Sequence, residues 1–258
     1  MNPVRSLYTF LTFILLLVSL TQSYAYFEVL KLNTTVTLST NTSGKVVEVL
    51  TLFVSNSSIQ QYKADRAALN LSLNNWNSEL GTTLLTPHIL NPRSSISNFT
   101  FLPGPVLIVG TSGGEATLTM SYIANNITYI RPIGPRRFEY FFNSSALNFE
   151  HTASGEQLFS NARLNLIIPN SASILSVYPS PDYPTPNLNG QYGNATMFSW
   201  YYSETLSKFV FNYVVTESLQ AEVTNYFTNL YNNYSGIIYA IIIIAVALLV
   251  FYIYKKIY

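Results

Sequence analysis

Apolar and polar residues alternate in short runs along most of the chain between residues 27 and 217, and glycine, proline or asparagine separates the runs. The first two runs, residues 27–40 and 45–54, are dense in Val, Thr, Leu and Phe, and they flank a segment from Asn41 to Gly44. β-Branched runs on both sides of an Asn/Gly turn predict a β-hairpin.

Eight further apolar segments follow the same pattern after residue 105. They are residues 106–109, 116–123, 127–130, 138–142, 162–168, 173–178, 195–202 and 208–215. Many short strands at fairly regular spacing are typical of a β-sandwich. We therefore expect a mainly β, sandwich-like domain over residues 26–217, built either as one large unit or as two stacked subdomains.

Proline marks two long loops in this domain. Prolines at positions 87, 92, 103 and 105 predict a loop before the first of the eight segments. Residues 178–186 contain four more prolines, too many for a central strand. We expect a soft subdomain boundary near residues 178–190.

One helical insertion is predicted among the strands. Ser58 and Gln61 have the spacing of a capping box, and Gly81 supplies a C-terminal cap. Between them, a stripe recurs at intervals of three and four residues: Ile59, Tyr62, Arg66, Leu69, Leu73, Trp76 and Leu80. The pattern predicts one helix, or a pair if the asparagines at 74, 75 and 77 break it, with the stripe packed on the sheet.

A second helical pattern follows the last predicted strand. Its apolar positions, spaced four, four, three and four apart, are Leu219, Val223, Phe227, Leu230 and Tyr234. Polar residues fill the other face, so the pattern predicts an amphipathic helix over residues 218–235. These five side chains are interaction candidates, because the stripe packs either against the domain's own sheet or against another subunit as a short stalk.

Residues 236–254 carry no charged side chain, and Lys255 and Lys256 follow them. Nineteen helical residues rise ~28 Å, close to the ~30 Å thickness of a bilayer core. This run predicts a single transmembrane helix. By the positive-inside rule the lysine pair lies in the cytoplasm, so residues 26–235 are expected outside the cell membrane and residues 255–258 inside.

The N-terminal residues have the order of a secretory signal peptide. Arg5 precedes an apolar run over residues 7–20, and Ser23 and Ala25 provide a small-x-small cleavage site. We expect residues 1–25 to be removed. The other interpretation is an uncleaved anchor, although the apolar run is shorter than the ~20 residues of a comfortable span.

The charge and cysteine content exclude several classes of function. Only 10% of the 258 residues are charged and the formal net charge is +1, which provides no basic footprint for nucleic acid. The chain has no cysteine, which excludes disulfides, thiolate metal sites and cysteine nucleophiles. We expect no metal, no cofactor and no nucleic-acid partner.

Asn-x-Ser/Thr sequons are frequent, as in a glycosylated outer surface. They occur at Asn33, Asn41, Asn56, Asn70, Asn98, Asn126, Asn143, Asn194 and Asn233. We expect glycans on several of them, most of all on Asn41 and Asn126, which lie in turn-like contexts. Asn233 lies too near the predicted membrane surface to be a good acceptor.

The segment from Gly110 to Gly114 matches the G-x-S-x-G pattern of serine hydrolases, with Ser112 as the nucleophile. Serine needs a histidine base and an orienting carboxylate, and the chain offers only His88 and His151. A hydrolase elbow also requires a helix after the serine, whereas residues 116–122 alternate like a strand. We interpret Ser112 as a hairpin-turn residue and keep a serine hydrolase as a remote alternative.

Other chemistry-bearing residues give weaker patterns. Glu139, Glu150 and Glu156 have the residue type of a glycosidase carboxylate pair but no distinguishing context. Arg131, Arg136 and Arg137 form a basic cluster around a predicted turn at residues 132–135. This cluster is a candidate site for an anionic glycan or a partner's carboxylates.

The chain is predicted to contain, in order, a signal peptide, a β-rich region, a helical stalk and a C-terminal span. It has no cysteine and is rich in Tyr, Ile and Asn. This combination resembles the small membrane-anchoring subunit of archaeal surface layers, as found in thermoacidophiles. The predicted stalk of about 17 residues is shorter than the long coiled coil of that pattern. The resemblance implies a non-enzymatic surface protein whose outer domain binds envelope proteins or glycans.

A second class of function fits the same topology. A single span beside a small outer domain is also found in accessory subunits of larger membrane complexes, such as secretion, respiratory or glycosylation assemblies. In that case the partners are polytopic membrane proteins, and the juxtamembrane and transmembrane helices carry the contacts, including any self-association.

Overall fold

The computed structural model describes residues 27–68 and 72–257, and the predicted signal peptide, residues 1–25, lies outside this range. In chain order the strands are β1 (Phe27–Leu38), β2 (Gly44–Ser55), β3 (Ile96–Pro103), β4 (Leu107–Val109), β5 (Gly113–Ala124), β6 (Thr128–Gly134), β7 (Arg137–Phe142), β8 (Glu150–Thr152), β9 (Gly155–Gln157), β10 (Ala162–Ile167), β11 (Ala172–Tyr178), β12 (Met197–Tyr201) and β13 (Val210–Thr216). The helices are α1 (Ile59–Ala67), α2 (Leu73–Leu80) and α3 (Leu219–Ile257). The fold is therefore mainly β, as predicted.

The larger sheet has the strand order β12-β10-β1-β2-β5-β3, and β4 also pairs with β5. The predicted hairpin is confirmed, because β1 and β2 pair antiparallel with Leu38 opposite Gly44. The next strand in the sheet is distant in sequence: β10 pairs parallel with β1, although more than a hundred residues separate the two strands. Strands distant in sequence therefore complete this sheet.

The smaller sheet has the order β11-β13-β7-β6, and β8 and β9 form a separate two-stranded ribbon.

Two predictions about turns and loops are wrong. The turn expected at residues 132–135 begins later, because β6 continues to Gly134, and Pro132 is accommodated because β6 is an edge strand. The proline-marked loop before residue 106 contains a strand, β3, on the edge of the larger sheet.

The two sheets contact each other through large aromatic side chains. Phe198 on β12 meets Phe211 on β13 with ring centroids 5.3 Å apart, and Trp200 contacts the same ring at 6.0 Å. Buried apolar residues of both sheets form one continuous core. The described residues between 27 and 217 therefore share one hydrophobic core.

The helical insertion is a pair, as one of the two interpretations expected. The break precedes the asparagine cluster, because α1 ends at Ala67 and Ser72 caps α2 by accepting from the Asn75 backbone N–H. Gly81 ends α2 in the left-handed conformation, as predicted. Ser58 makes no side-chain cap, so the capping-box prediction is wrong.

Two aromatic residues of the predicted stripe anchor this pair on the sheet. Tyr62 and Trp76 are buried with ring centroids 5.5 Å apart, whereas Arg66 is exposed. The Tyr62 hydroxyl donates to the Gly104 carbonyl at 2.9 Å. Burial raises the pKa of Tyr62 to about 12, an effect that the nearby Arg66 charge partly offsets.

The proline-rich loop after β11 folds back over β12. The Ser199 N–H donates to the Tyr183 carbonyl at 2.7 Å, and the Trp200 indole N–H donates to the Pro179 carbonyl at 3.0 Å. These contacts attach the segment predicted as a soft boundary to the edge of the larger sheet.

Candidate functional site

The C-terminal helix α3 follows the last strand of the β domain and is the longest of the three α-helices. It begins at Leu219, and only Glu217 and Ser218 separate it from the end of β13. The Glu217 backbone N–H donates to the Arg136 carbonyl at 2.8 Å, which fixes the start of the helix beside the turn between β6 and β7. The chain therefore leaves the sandwich at this end.

Helix α3 contains 39 residues, which corresponds to about 58 Å of helix. Its backbone departs from helical geometry at Tyr234, where φ is −130° and ψ is 19°. The hydroxyls of Tyr231 and Tyr239 lie 2.6 Å apart across this kink. The kink falls within two residues of the boundary at residue 236 that the sequence predicts between the amphipathic and the apolar segment.

The predicted apolar stripe of α3 faces solvent. Leu219 and Phe227 are each 62% exposed, Val223 and Tyr234 are also exposed, and Leu230 is partly exposed. The interpretation that this stripe packs on the domain's own sheet is therefore wrong. Four of the five apolar side chains of the stripe are therefore exposed within the part of the chain that the structure describes.

The transmembrane helix predicted at residues 236–254 lies within α3. Within residues 27–68 and 72–257, no helix qualifies by length and apolar character as a membrane span.

The three predicted arginines lie on one hairpin but do different things. Arg131 pairs with Glu139, with Nη2 and Oε2 2.5 Å apart, and its guanidinium lies 5.0 Å above the Phe141 ring. Arg136 is at a positive φ of 57° in the turn, and Arg137 begins β7 opposite Thr216. Arg136 and Arg137 are exposed and lie where α3 leaves the sandwich.

The structure separates the predicted sequons by exposure. Asn41, Asn56, Asn98, Asn126, Asn194 and Asn233 are exposed, Asn33 is half-buried and Asn143 is buried. Asn33 lies within β1, where its side-chain oxygen accepts from Asn165 at 2.7 Å, and the Asn143 oxygen accepts from the Ser145 N–H at 3.2 Å. Asn70 lies outside the described residues. In the folded protein, the side chains of Asn33 and Asn143 are therefore hydrogen-bonded and at least half-buried. Only an exposed asparagine can present its amide nitrogen to a glycosyl donor.

Ser112 lies in the exposed turn of the hairpin formed by β4 and β5, as predicted, with Val109 opposite Gly113. Packing explains the glycines of the motif, because a Cβ on Gly113 would lie 2.3 Å from the Val54 carbonyl oxygen and one on Gly114 2.6 Å from that of Leu107. The glycines therefore permit close approach of neighbouring strands.

Both histidines face carboxylates. His88 Nδ1 lies 2.5 Å from Glu48 Oε2, and His151 Nδ1 lies 2.8 Å from Glu156 Oε2. The carboxylates proposed as a glycosidase pair are also engaged separately, Glu139 by Arg131 and Glu156 by His151. No group of three or more His, Asp or Glu residues suited to a metal ion occurs among the described residues.

A buried polar cluster around Glu48 is the feature that the sequence analysis missed. Glu48 on β2 is fully buried and accepts hydrogen bonds from the His88 backbone N–H at 2.8 Å and from the Tyr122 hydroxyl. The Ile89 N–H in turn donates to the Tyr122 oxygen at 3.1 Å. Burial, followed by the Glu48 charge, raises the pKa of Tyr122.

Phe149 and Phe159 seal this cluster from solvent. The Phe149 ring stacks on the His88 imidazole with centroids 5.1 Å apart, and Phe159 packs edge-on at 5.6 Å. Glu48 lies on the same inward-facing side of β2 as Val46 and Leu50, because side chains two positions apart point to the same face of a strand. A carboxylate at an otherwise apolar position was the signal in the sequence that could have predicted the cluster. A cluster so enclosed fixes the loop containing His88 to the sheet.

Three surfaces therefore remain as candidates for function: the exposed stripe of α3, the hairpin turn with Arg136 and Arg137, and the outer faces and edges of the sheets. No protein-family model matches this chain, and no curated protein matches it either, so its function has to follow from its own residues.

Proposed function

We propose that this protein is a non-enzymatic, membrane-anchored surface protein whose β domain binds other envelope proteins or glycans. The observation that carries the proposal is α3, a helix of 39 residues that leaves the sandwich directly after its last strand and exposes an apolar stripe. Residues 218–235 form the stalk in this proposal, and residues 236–254 form the anchor.

The anchor assignment is supported by the amino-acid sequence of the second segment of α3. Residues 236–254 contain twelve Ile, Leu, Val and Phe residues and no charged residue. Apolar residues that face water along a whole helix incur a large free-energy cost, which a lipid environment removes. Lys255 and Lys256 then face the cytoplasm, and the β domain lies outside.

The outer location of the domain is supported by its surface chemistry. Neutral Ser, Thr, Asn and Tyr residues replace charges, and six sequons present exposed asparagines. Binding rather than catalysis is supported by both histidines and by Glu48, Glu139 and Glu156, which form ion pairs within the fold.

Membrane fractionation tests this proposal. The full-length protein should stay in the membrane pellet after washes with high salt and with urea, and should enter solution only with detergent. Release by salt alone would contradict the anchor, because peripheral binding to lipid headgroups is electrostatic and salt-sensitive.

A second candidate function is an accessory subunit of a membrane complex. The exposed stripe favours it, because an apolar stripe on a stalk is covered most directly by a helix of a partner subunit. A surface lattice bound to the β domain would not cover it. The small residues Gly236 and Ala240 at a spacing of four also permit close helix contact inside the membrane. Mild detergent extraction followed by mass measurement distinguishes a defined hetero-complex from envelope lattice.

Phe227→Asp tests whether the stripe is an interface. Phe227 is exposed in the single chain, so the thermal stability of the protein should change by no more than about 0.5 kcal/mol. Association of the full-length protein with its membrane partners should be lost, since a buried Phe contributes about 1.5–3 kcal/mol. The measurement is co-sedimentation of the detergent-extracted complex.

Asn229→Asp provides the matched control, because it introduces the same charge at an exposed position of the same helical segment. It should leave the complex intact. Equal behaviour of the two variants would show that the stripe is not an interface.

Glycosylation should follow the exposure of the sequons. We expect glycans on Asn41, an exposed turn residue, and none on Asn33, whose side chain is bonded within the sheet. Asn126 is expected to carry a glycan as well, once its contact with Ser94 Oγ at 2.9 Å opens. Peptide mass spectrometry before and after deglycosylation measures the occupancy, and a glycan on Asn33 would contradict the assignment of that side chain.

A further inference from the structure

Strand β11 forms an open edge of the smaller sheet. Its seven residues, Ala172–Tyr178, include no charged residue and no proline. It pairs with β13 on one side, and among the described residues the backbone of positions 173–178 hydrogen-bonds to no other segment. Leu175 on this edge is 54% exposed. The outer side therefore presents unpaired N–H and C=O groups beside apolar side chains.

The opposite edge of the smaller sheet is protected against strand pairing. Strand β6 contains Pro132, which has no N–H to donate, and Arg131 places a charge on the same strand. The edge of the larger sheet at β12 is also covered, because the loop residue Tyr183 exchanges backbone hydrogen bonds with Ser199 at 2.7 and 3.3 Å.

The remaining edge of the larger sheet is interrupted. Strand β3 has a bulge between Ser97 and Thr100 and ends at Pro103, and β4 has only three residues. Short, bulged and proline-containing edges resist pairing with another chain. Strand β11 also has a bulge, between Ile174 and Ser176, but no charge, proline or covering segment.

A groove of about 580 Å³ runs beside this open edge. One wall is formed by residues 173–177 of β11 and the other by the loop from Gly190 to Gly193. Tyr192 fixes this loop to the core by edge-on packing against Phe198, with centroids 5.4 Å apart. The residues that line the groove are all uncharged.

We propose that β11 binds an extended, uncharged polypeptide segment of a partner protein by strand addition. The backbone of the segment supplies the C=O and N–H groups that pair with the open edge, and its alternate side chains contact Leu175 and the groove. An uncharged segment fits because a charge in this groove would lose hydration without gaining an opposite partner. The inference rests on the proposed function, for which it specifies the binding surface.

A second copy of this chain in the same membrane is a less suitable partner for this edge than a different protein. Two identical edge strands related by a two-fold axis pair antiparallel. Strand β13 runs antiparallel to β11, with Val215 opposite Ala172, and α3 follows it after two residues. In such a pair the two β13 strands, from which the α3 helices start, would run in opposite directions, whereas copies in one membrane need their anchors parallel.

Hydrogen exchange of the full-length protein in lipid nanodiscs tests the proposal. The probe is a capped peptide with the sequence of β11, Ala-Ser-Ile-Leu-Ser-Val-Tyr, which is an uncharged strand former. At a peptide concentration about ten times Kd, amide exchange at residues 173–178 should slow about tenfold. Leu175→Lys should abolish this protection, because lysine on an edge opposes strand pairing.

Leu102→Lys is the matched control, since Leu102 is exposed on a different edge, and it should leave the protection unchanged. Absence of protection at residues 173–178, or equal loss in both variants, would overturn the proposal. Protection that instead rises with protein concentration, together with dimers in sedimentation, would assign the edge to a second copy and also overturn it. The membrane washes report on the anchor separately, so peptide binding by a protein that washes off would leave strand addition intact.

Discussion

Glu48→Ala should lower the free energy of unfolding by about 3–5 kcal/mol, the usual cost of removing one partner from a buried polar pair. The substitution leaves the His88 backbone N–H, the His88 ring and the Tyr122 hydroxyl without their buried acceptor. Because whole domains are stable by only about 5–15 kcal/mol, this is a large fraction of the total. Urea titration of the detergent-solubilised protein, followed by the fluorescence of the buried Trp76 and Trp200, measures the loss.

Two further variants make this test specific. Glu48→Gln keeps an oxygen acceptor for the His88 N–H and the Tyr122 hydroxyl, so it should cost less, about 1–3 kcal/mol. Glu115→Ala removes an exposed carboxylate from the neighbouring strand β5 and should cost less than about 0.5 kcal/mol. If the three variants were equally stable, the cluster would contribute nothing to the fold.

Replacement of both Ile243 and Val246 by arginine should release the protein from the membrane. Each arginine at the centre of a span costs about 2.5–3.5 kcal/mol, so the pair costs about 5–7 kcal/mol. The twelve Ile, Leu, Val and Phe residues of positions 236–254 contribute about −4 to −7 kcal/mol in total, and two of them are lost. With two apolar residues removed, the cost of the arginines matches or exceeds the gain from the remaining apolar residues, so the protein should move from the pellet to the soluble fraction.

Replacement of the same two residues by alanine is the control, because it shortens the side chains without adding charge. The alanine variant should remain in the pellet after high-salt washing. Retention of the arginine variant in the pellet would contradict the assignment of residues 236–254 as the anchor. N-terminal sequencing of the retained protein would then show whether residues 1–25 hold it instead.

The two candidate functions differ in where partners bind. A surface protein uses the β domain, and strand addition at β11 gives that binding a defined place in the sandwich. An accessory subunit uses the stripe that includes Val223 and Phe227 on α3. Leu175→Lys and Phe227→Asp therefore separate the two, since each removes one surface and leaves the other unchanged.

The sequence alone predicted the elements whose signals are local. The β1 and β2 hairpin follows from two β-branched runs and one turn, and the C-terminal cap at Gly81 follows from one residue type. The kink at Tyr234 lies near the predicted change from amphipathic to uniformly apolar sequence. Such features depend on residues a few positions apart, so periodicity and turn chemistry are sufficient to find them.

The tertiary structure decided which strands pair and which side chains become buried. Nothing local indicates that β10 pairs parallel with β1, that Glu48 meets His88 and Tyr122, or that the Asn33 amide is bonded to Asn165. These contacts join residues 40 or more positions apart and depend on how the whole core packs. For the same reason the sequence could show that the α3 stripe is apolar but not whether it is covered. The exposed fractions of its side chains in the folded chain show that it faces outward.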